Sequence, residues 1–247
     1  MDNTEQLTDP SLDGLTFVMR SSTASVVNTR RPTTFLYRQH NAMVWGEYTG
    51  DTVSIGRFVG RRNGDSIAVW FVHADAVTGE LASGKATSRI ESSATGLRLV
   101  EGFVKDGVDH TSVCVQTTAP YDEASLAPGN TREPTEHSID GAVFVLESST
   151  ASAVDPESPS RFKFREAAGL IWGSYVGDTV TFGRTVGVRE GNLLHEWFVH
   201  EVKETGEVLL GDCTTHVAAR SDGRRELIEE FVLDGVPGRS VCVEVFA

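Results

Sequence analysis

The sequence predicts an all-β chain folded as two tandem eight-stranded antiparallel up-and-down barrels. Three observations predict it: a self-similarity at an offset of 127 residues, closely spaced turn signals, and the lack of a helix-length 3.6-residue apolar period.

The repeat carries most of the weight. Asp13 and Gly14 recur as Asp140 and Gly141, and Ser21–Ser25 recurs as Ser148–Ser152. Trp45–Val53 returns as Trp172–Val180, with Glu47 replaced by Ser174 and Thr49 by Val176; Trp70–His73 returns as Trp197–His200. From Asp13 to Gly96 the register needs no gap, and 36 of 84 positions are identical. One inserted residue then carries Glu101, Phe103 and Cys114 onto Glu229, Phe231 and Cys242. So long a period marks duplicated domains, since solenoid repeats run to roughly 20–50 residues. The expected divisions are a first repeat at 13–118, a linker at 119–137 rich in proline and acidic residues, and a second repeat at 138–247.

Within a repeat, turn signals stand at His40-Asn41, Gly50-Asp51, Asn63-Gly64, Thr78-Gly79, Thr95-Gly96 and Asp106-Gly107. The segments between them are rich in Val, Phe, Tyr, Trp and Thr, as hairpin-joined strands are. With a strand near Phe17 and a last one near Val113, each repeat makes about eight. Closure into a barrel is the economical solution because it removes exposed edges. Such a barrel can hold one small ligand or be filled by its own side chains.

Composition narrows the function classes. Hydrophobic residues make up 39%, enough to bury a core. Lys and Arg number 22 against 35 Asp and Glu, a net charge of −13. That charge repels nucleic-acid backbones and anionic lipid, so neither nucleic acid nor membrane is an expected partner. The opening residues Met1–Gln6 lack the basic and apolar regions of a secretory signal, and the three cysteines have no CxxC spacing. The expectation is a cytoplasmic chain without a disulfide framework or a structural metal. No GxGxxG, HExxH or GxSxG occurs, and no cofactor is expected.

Strand alternation suggests which side chains meet. Val53, Ile55, Arg57 and Val59 share one row, as Val180, Phe182, Arg184 and Val186 do; Leu99, Glu101 and Phe103 share another, as Leu227, Glu229 and Phe231 do. A charge in an apolar row needs a partner, so Arg57 is expected to face Glu101, and Arg184 to face Glu229, inside the barrels. These pairs could equally fix strand register or act as anion clamps. His73 and His200 share a face with Phe71 and Phe198, while Trp45 and Tyr48 point to opposite faces, as Trp172 and Tyr175 do. Gly46, Gly50, Gly56 and Gly60 are expected at bends and close strand approaches.

The differences between the copies point to chemistry. Glu196 stands where the first repeat has Val69, Asp212 where it has Lys85, and His216 where it has Arg89. Glu196, His200, Asp212 and His216 are therefore the candidate catalytic groups, able to shift one another's pKa and move protons. Trp172, Tyr175, Arg184, Phe198 and Glu229 are candidate binding residues of the second repeat, and Trp45, Tyr48, Arg57 and Glu101 those of the first. The second repeat is expected to hold the working cavity.

The string WGxYxGDTVxxGRxVG, followed by WFVH and TGE, resembles small actinobacterial proteins the size of one repeat. The inferred architecture resembles calycin-type barrels: lipocalins, avidin-like proteins and the barrel cyclases of bacterial polyketide pathways. That resemblance implies a cofactor-independent cyclase or isomerase, of the spiroketal synthase kind, acting on a largely apolar polyketide intermediate. The alternatives are a binding or carrier protein for an apolar small molecule, and an interaction module with filled barrels. A homodimer is left open as the assembly.

Overall fold

The computed structural model describes residues 10–121, 137–151, 153–233 and 235–246. Two closed antiparallel barrels form, each in strand order of the chain. The first contains β1 (Thr16–Ser22), β2 (Thr34–His40), β3 (Met43–Gly50), β4 (Val53–Asn63), β5 (Ser66–Asp75), β6 (Leu81–Ser93), β7 (Gly96–Lys105) and β8 (Val108–Thr117), with β8 pairing back onto β1. The second contains β9 (Val143–Ser149), β10 (Arg161–Ala167), β11 (Leu170–Val176), β12 (Val180–Glu190), β13 (Leu193–Val202), β14 (Val208–Ala219), β15 (Arg225–Leu233) and β16 (Val236–Glu244), closed by β16 on β9. The expected linker, 119–137, falls almost wholly outside the described residues.

Turn chemistry sets the hairpins. Asp106 and Gly107 both have positive φ (52° and 75°), the requirement of a two-residue turn whose twist matches the strands it joins. In the second barrel the β10–β11 turn places Ala168 at φ 54° before Gly169 at 79°. Glycines inside strands have a different cause. A Cβ on Gly56 would lie 2.4 Å from the Tyr48 ring and one on Gly183 2.2 Å from the Tyr175 ring. Each ring lies flat over its cross-strand glycine, so the aromatic fills the barrel only because the glycine is bare.

Each interior is packed from one end. In the first barrel Leu12 and Phe17 are fully buried with Val44, Ile67, Ile90 and Leu99. In the second, Ile139, Phe144, Ile171, Leu194 and Val217 do the same. Chain entering from the N-terminal side thus plugs one end of each barrel. The longer β1–β2 and β9–β10 loops border the other end, called the mouth below.

The barrels pack side by side. The outer faces of β3 to β6 meet those of β11 to β14 in one apolar cluster: Met43, Val59 and Val72 against Leu170, Val186, Val199 and Val208. All four tryptophans, Trp45, Trp70, Trp172 and Trp197, pack against it. The same contact recurs with the repeats exchanged, Arg57 on Trp172 and Arg184 on Trp45, so the seam has an internal pseudo-twofold symmetry. Each large apolar side chain withdrawn from water here contributes about 1.5–3 kcal/mol. Polar bonds cross the seam as well: Arg61 donates to the Val208 carbonyl at 3.1 Å and Asn41 to Glu201 at 2.6 Å.

This seam corrects an expectation. Arg57 does not face Glu101, nor Arg184 Glu229. Both arginines point outward into the seam, where Arg57 pairs with Glu47 at 3.1 Å and Arg184 lies over Trp45 and Phe182. The apolar rows that carry them are covered by the other barrel, not by the barrel's own core. A register shift between Val53 and Ile55, and its counterpart between Val180 and Phe182, also breaks the assumed alternation. Val53 therefore belongs to the first barrel's core while Ile55 packs in the seam.

Candidate functional site

The inward-facing groups near the two mouths form matching sets. In the first barrel Tyr48 Oη lies 2.9 Å from His73 Nδ1, and the Phe71 and His73 rings stack. In the second, Tyr175 Oη lies 2.9 Å from His200 Nδ1 and the Phe198 and His200 rings stack. The tyrosine ring is itself stacked on Phe35 in the first barrel and on Phe162 in the second. The β4–β5 and β12–β13 registers place each histidine opposite the glycine beneath the tyrosine ring. Ring thus covers backbone, and hydroxyl reaches imidazole.

Burial sets the charge state of these groups. His200 is held down to about 4 by desolvation, and His73 is lowered for the same reason, so both imidazoles are neutral at physiological pH. Burial also pushes both tyrosine hydroxyls upward.

Carboxyls lie deeper. Glu101 accepts a 3.4 Å hydrogen bond from Ser88, and burial raises it to about 7. Glu196 is 5% exposed and accepts from Thr185 Oγ1 at 3.1 Å; burial raises it to about 7, and the neighbouring Glu229 adds to the rise. Glu229, bonded to Cys213, is raised by burial too. Among the described residues the first barrel therefore carries one such interior carboxyl and the second carries two close together. Around neutral pH Glu101 and Glu196 are partly protonated and can donate as well as accept hydrogen bonds.

The candidate residues separate by face. Glu196, His200, Tyr175, Phe198 and Glu229 point into the second barrel, and Tyr48 and Glu101 into the first. Asp212 and His216 do not join them. They lie on the outer face of β14 and are exposed, while their neighbours Cys213, Thr215 and Val217 are buried. The expected four-group cluster is thus a two-carboxyl, one-histidine group, because β14 presents odd-numbered residues inward. Trp45, Trp172, Arg57 and Arg184 line the seam between the barrels.

Sequence reasoning missed the buried ion pair that does exist. Arg189 contacts Glu166 at 2.7 Å at the plugged end of the second barrel, with side chains 2% and 9% exposed. The first barrel keeps the arginine but has Gln39 for Glu166: Arg62 donates to Gln39 at 3.2 Å and to the Pro10 carbonyl at 2.6 Å. Each arginine ties the incoming chain to the barrel floor. The recurrence of Arg62 as Arg189 was the available signal.

A groove of about 950 Å³ crosses the mouth-side ends of β14, β15 and β16. β14 pairs with β13 from Val208 onward but with β15 only from Cys213, so the wall parts there. Inner-face Gly211, Cys213, Phe231 and Gly238 line the groove together with outer-face Leu210 and Asp212.

The model of one protein family, described as avidin-like protein, matches residues 10–117 and again residues 137–245. Each match spans one barrel, and together they cover most of the chain. No curated protein matches it.

Proposed function

The chain belongs to the avidin-like family, and on that premise we propose that it binds a small, largely apolar molecule at the mouth of the second barrel without transforming it. One observation carries this reading: the parted wall between β14 and β15 brings inner-face Cys213 and Phe231 into a groove of about 950 Å³. That space matches the size of small-molecule sites, about 300–1,000 Å³, which combine apolar walls with a few polar groups. Leu210, Phe231, Val232 and Pro237 supply the apolar walls. Glu230 and Arg239 add charged groups to the lining, and Glu229, whose pKa burial raises, bonds the lining residue Cys213 from inside the barrel. Avidin-like membership supports a small-molecule ligand.

Turnover has less support. The cyclase reading depended on four proton-moving groups converging, and Asp212 and His216 point away from the interior. A neutral His200 bonded to a tyrosine hydroxyl suits ligand orientation as readily as proton transfer.

Titration of the full chain with uncharged N-phenyl-1-naphthylamine, and separately with biotin, tests the proposal. Saturable binding of either, weakened at least tenfold by Cys213→Trp but not by the corresponding first-barrel change Ala86→Trp, is expected. Equal loss in both variants, or no saturable binding of either probe, would overturn it.

A further inference from the structure

A second cavity lies outside both barrels, on the pseudo-twofold axis of the seam. It holds about 340 Å³ and is lined by matched pairs from the two repeats, among them Trp45 with Trp172 and Val59 with Val186. Its charge is out of character with the chain. Arg38, Arg57, Lys163, Arg165 and Arg184 line it against the single carboxylate Glu47, in a protein of net charge −13.

The two halves differ at one informative place. In the first repeat Glu47 neutralises Arg57 at 3.1 Å. In the second, Ser174 occupies the position of Glu47, and Arg184 has no carboxylate partner among the described residues. Arg184 is half-buried, and desolvation lowers its pKa. A desolvated cation without a counter-charge is costly, and an anion removes that cost. Its guanidinium lies over the Trp45 ring at 4.9 Å and the Phe182 ring at 4.3 Å. Aromatic rings accept no ordinary hydrogen bond, so these contacts leave the guanidinium N–H donors for a planar or tetrahedral oxyanion. Lys163 and Arg38 are exposed at the same cleft and add long-range attraction. Arg165 is already paired with Asp140 at 2.9 Å.

We infer that the seam between the barrels is a binding site for a small oxyanion, carboxylate or phosphate, held by Arg184 with Ser174 and Lys163 beside it. The site is independent of the barrel mouths: its ligand is charged, and its walls come from both repeats. It uses the pseudo-symmetric seam to build one asymmetric pocket, with Glu47 closing one half and Ser174 opening the other.

Calorimetric titration of the full chain with citrate and with inorganic phosphate, at constant ionic strength set with sodium chloride, tests this. Tryptophan emission follows in parallel, since Trp45 and Trp172 line the site. Wild type should bind at least one probe saturably and change its emission; citrate alone marks a carboxylate site and phosphate alone a phosphate site. Ser174→Glu, which copies the Glu47 arrangement and so keeps the fold, should weaken binding at least tenfold, as should Arg184→Gln. Cys213→Trp, at the second barrel's mouth, should leave it unchanged. Undiminished binding in Ser174→Glu, or no saturable response to either probe, would overturn the inference.

Discussion

Arg57 of the first barrel lies over Trp172 of the second, 4.5 Å from guanidinium carbon to ring centroid, and Arg184 returns the contact on Trp45 at 4.9 Å. The exchange ties the two barrels to one another across the seam. It also makes the outer faces of β3 to β6 and β11 to β14 apolar for a reason unconnected with either interior. A cation over an indole gains about 0.5–2 kcal/mol, more as water is excluded. In a double-mutant cycle of Arg57→Met and Trp172→Leu, urea unfolding should give a coupling energy of about 0.5–2 kcal/mol. Strict additivity would show the contact to be energetically idle.

The floor of the second barrel should be less forgiving than that of the first. Arg189→Met strands the Glu166 carboxylate among buried groups, and such a loss costs about 3–5 kcal/mol. Among the described residues, Arg62→Met removes donors to the neutral Gln39 and to the Pro10 and Gly64 carbonyls, and it should cost less. Equal shifts in the two unfolding midpoints would count against this account.

The raised Glu196 makes stability depend on pH with a definite sign. Its folded pKa of about 7 lies above its ordinary value of 4.5, so the folded state holds a proton that the unfolded state releases. Below about pH 4.5 both states are protonated and the residue costs nothing through ionisation. As pH rises from there to about 7 the folded state loses ground, by on the order of 3 kcal/mol in full. His200 acts the other way: its folded pKa of about 4 means stability present above pH 6.5 and lost as pH falls toward 4. The two slopes oppose each other in wild type. Glu196→Gln should therefore gain on wild type progressively between pH 4.5 and 7, and its pH of maximum stability should move upward. A pH-independent difference in urea midpoints would refute the assignment.

Ala168 occupies a left-handed conformation at φ 54°, where the first barrel has Asn41 at φ 51°. An ordinary side chain there costs roughly 1–2 kcal/mol, and asparagine tolerates it better. Ala168→Asn should stabilise the chain by about 0.5–1 kcal/mol and Asn41→Ala should destabilise it comparably, read as shifts in thermal midpoint. Midpoints unmoved in both variants would argue that neither turn strains the backbone.

Much of the architecture is determined by the sequence alone. The 127-residue repeat, the spacing of turn residues and the β-rich segments between them specify eight hairpin-joined strands per copy, and eight strands without an edge must close. Period-two alternation even places Tyr48 and Trp45, or Glu196 and His200, on their correct relative faces, because a strand allows nothing else. Tertiary structure alone decided which face is the inside. Both faces of β4 and β12 are apolar, one filling a barrel and the other covered by the neighbouring barrel, so Arg57 and Arg184 read as interior charges until the seam is seen. The register shifts at Val53/Ile55 and Val180/Phe182 compound this, since a single extra residue turns every later side chain over. Local sequence sets the order of faces along a strand; which of them meets water, core or a second barrel depends on contacts between residues far apart in the chain.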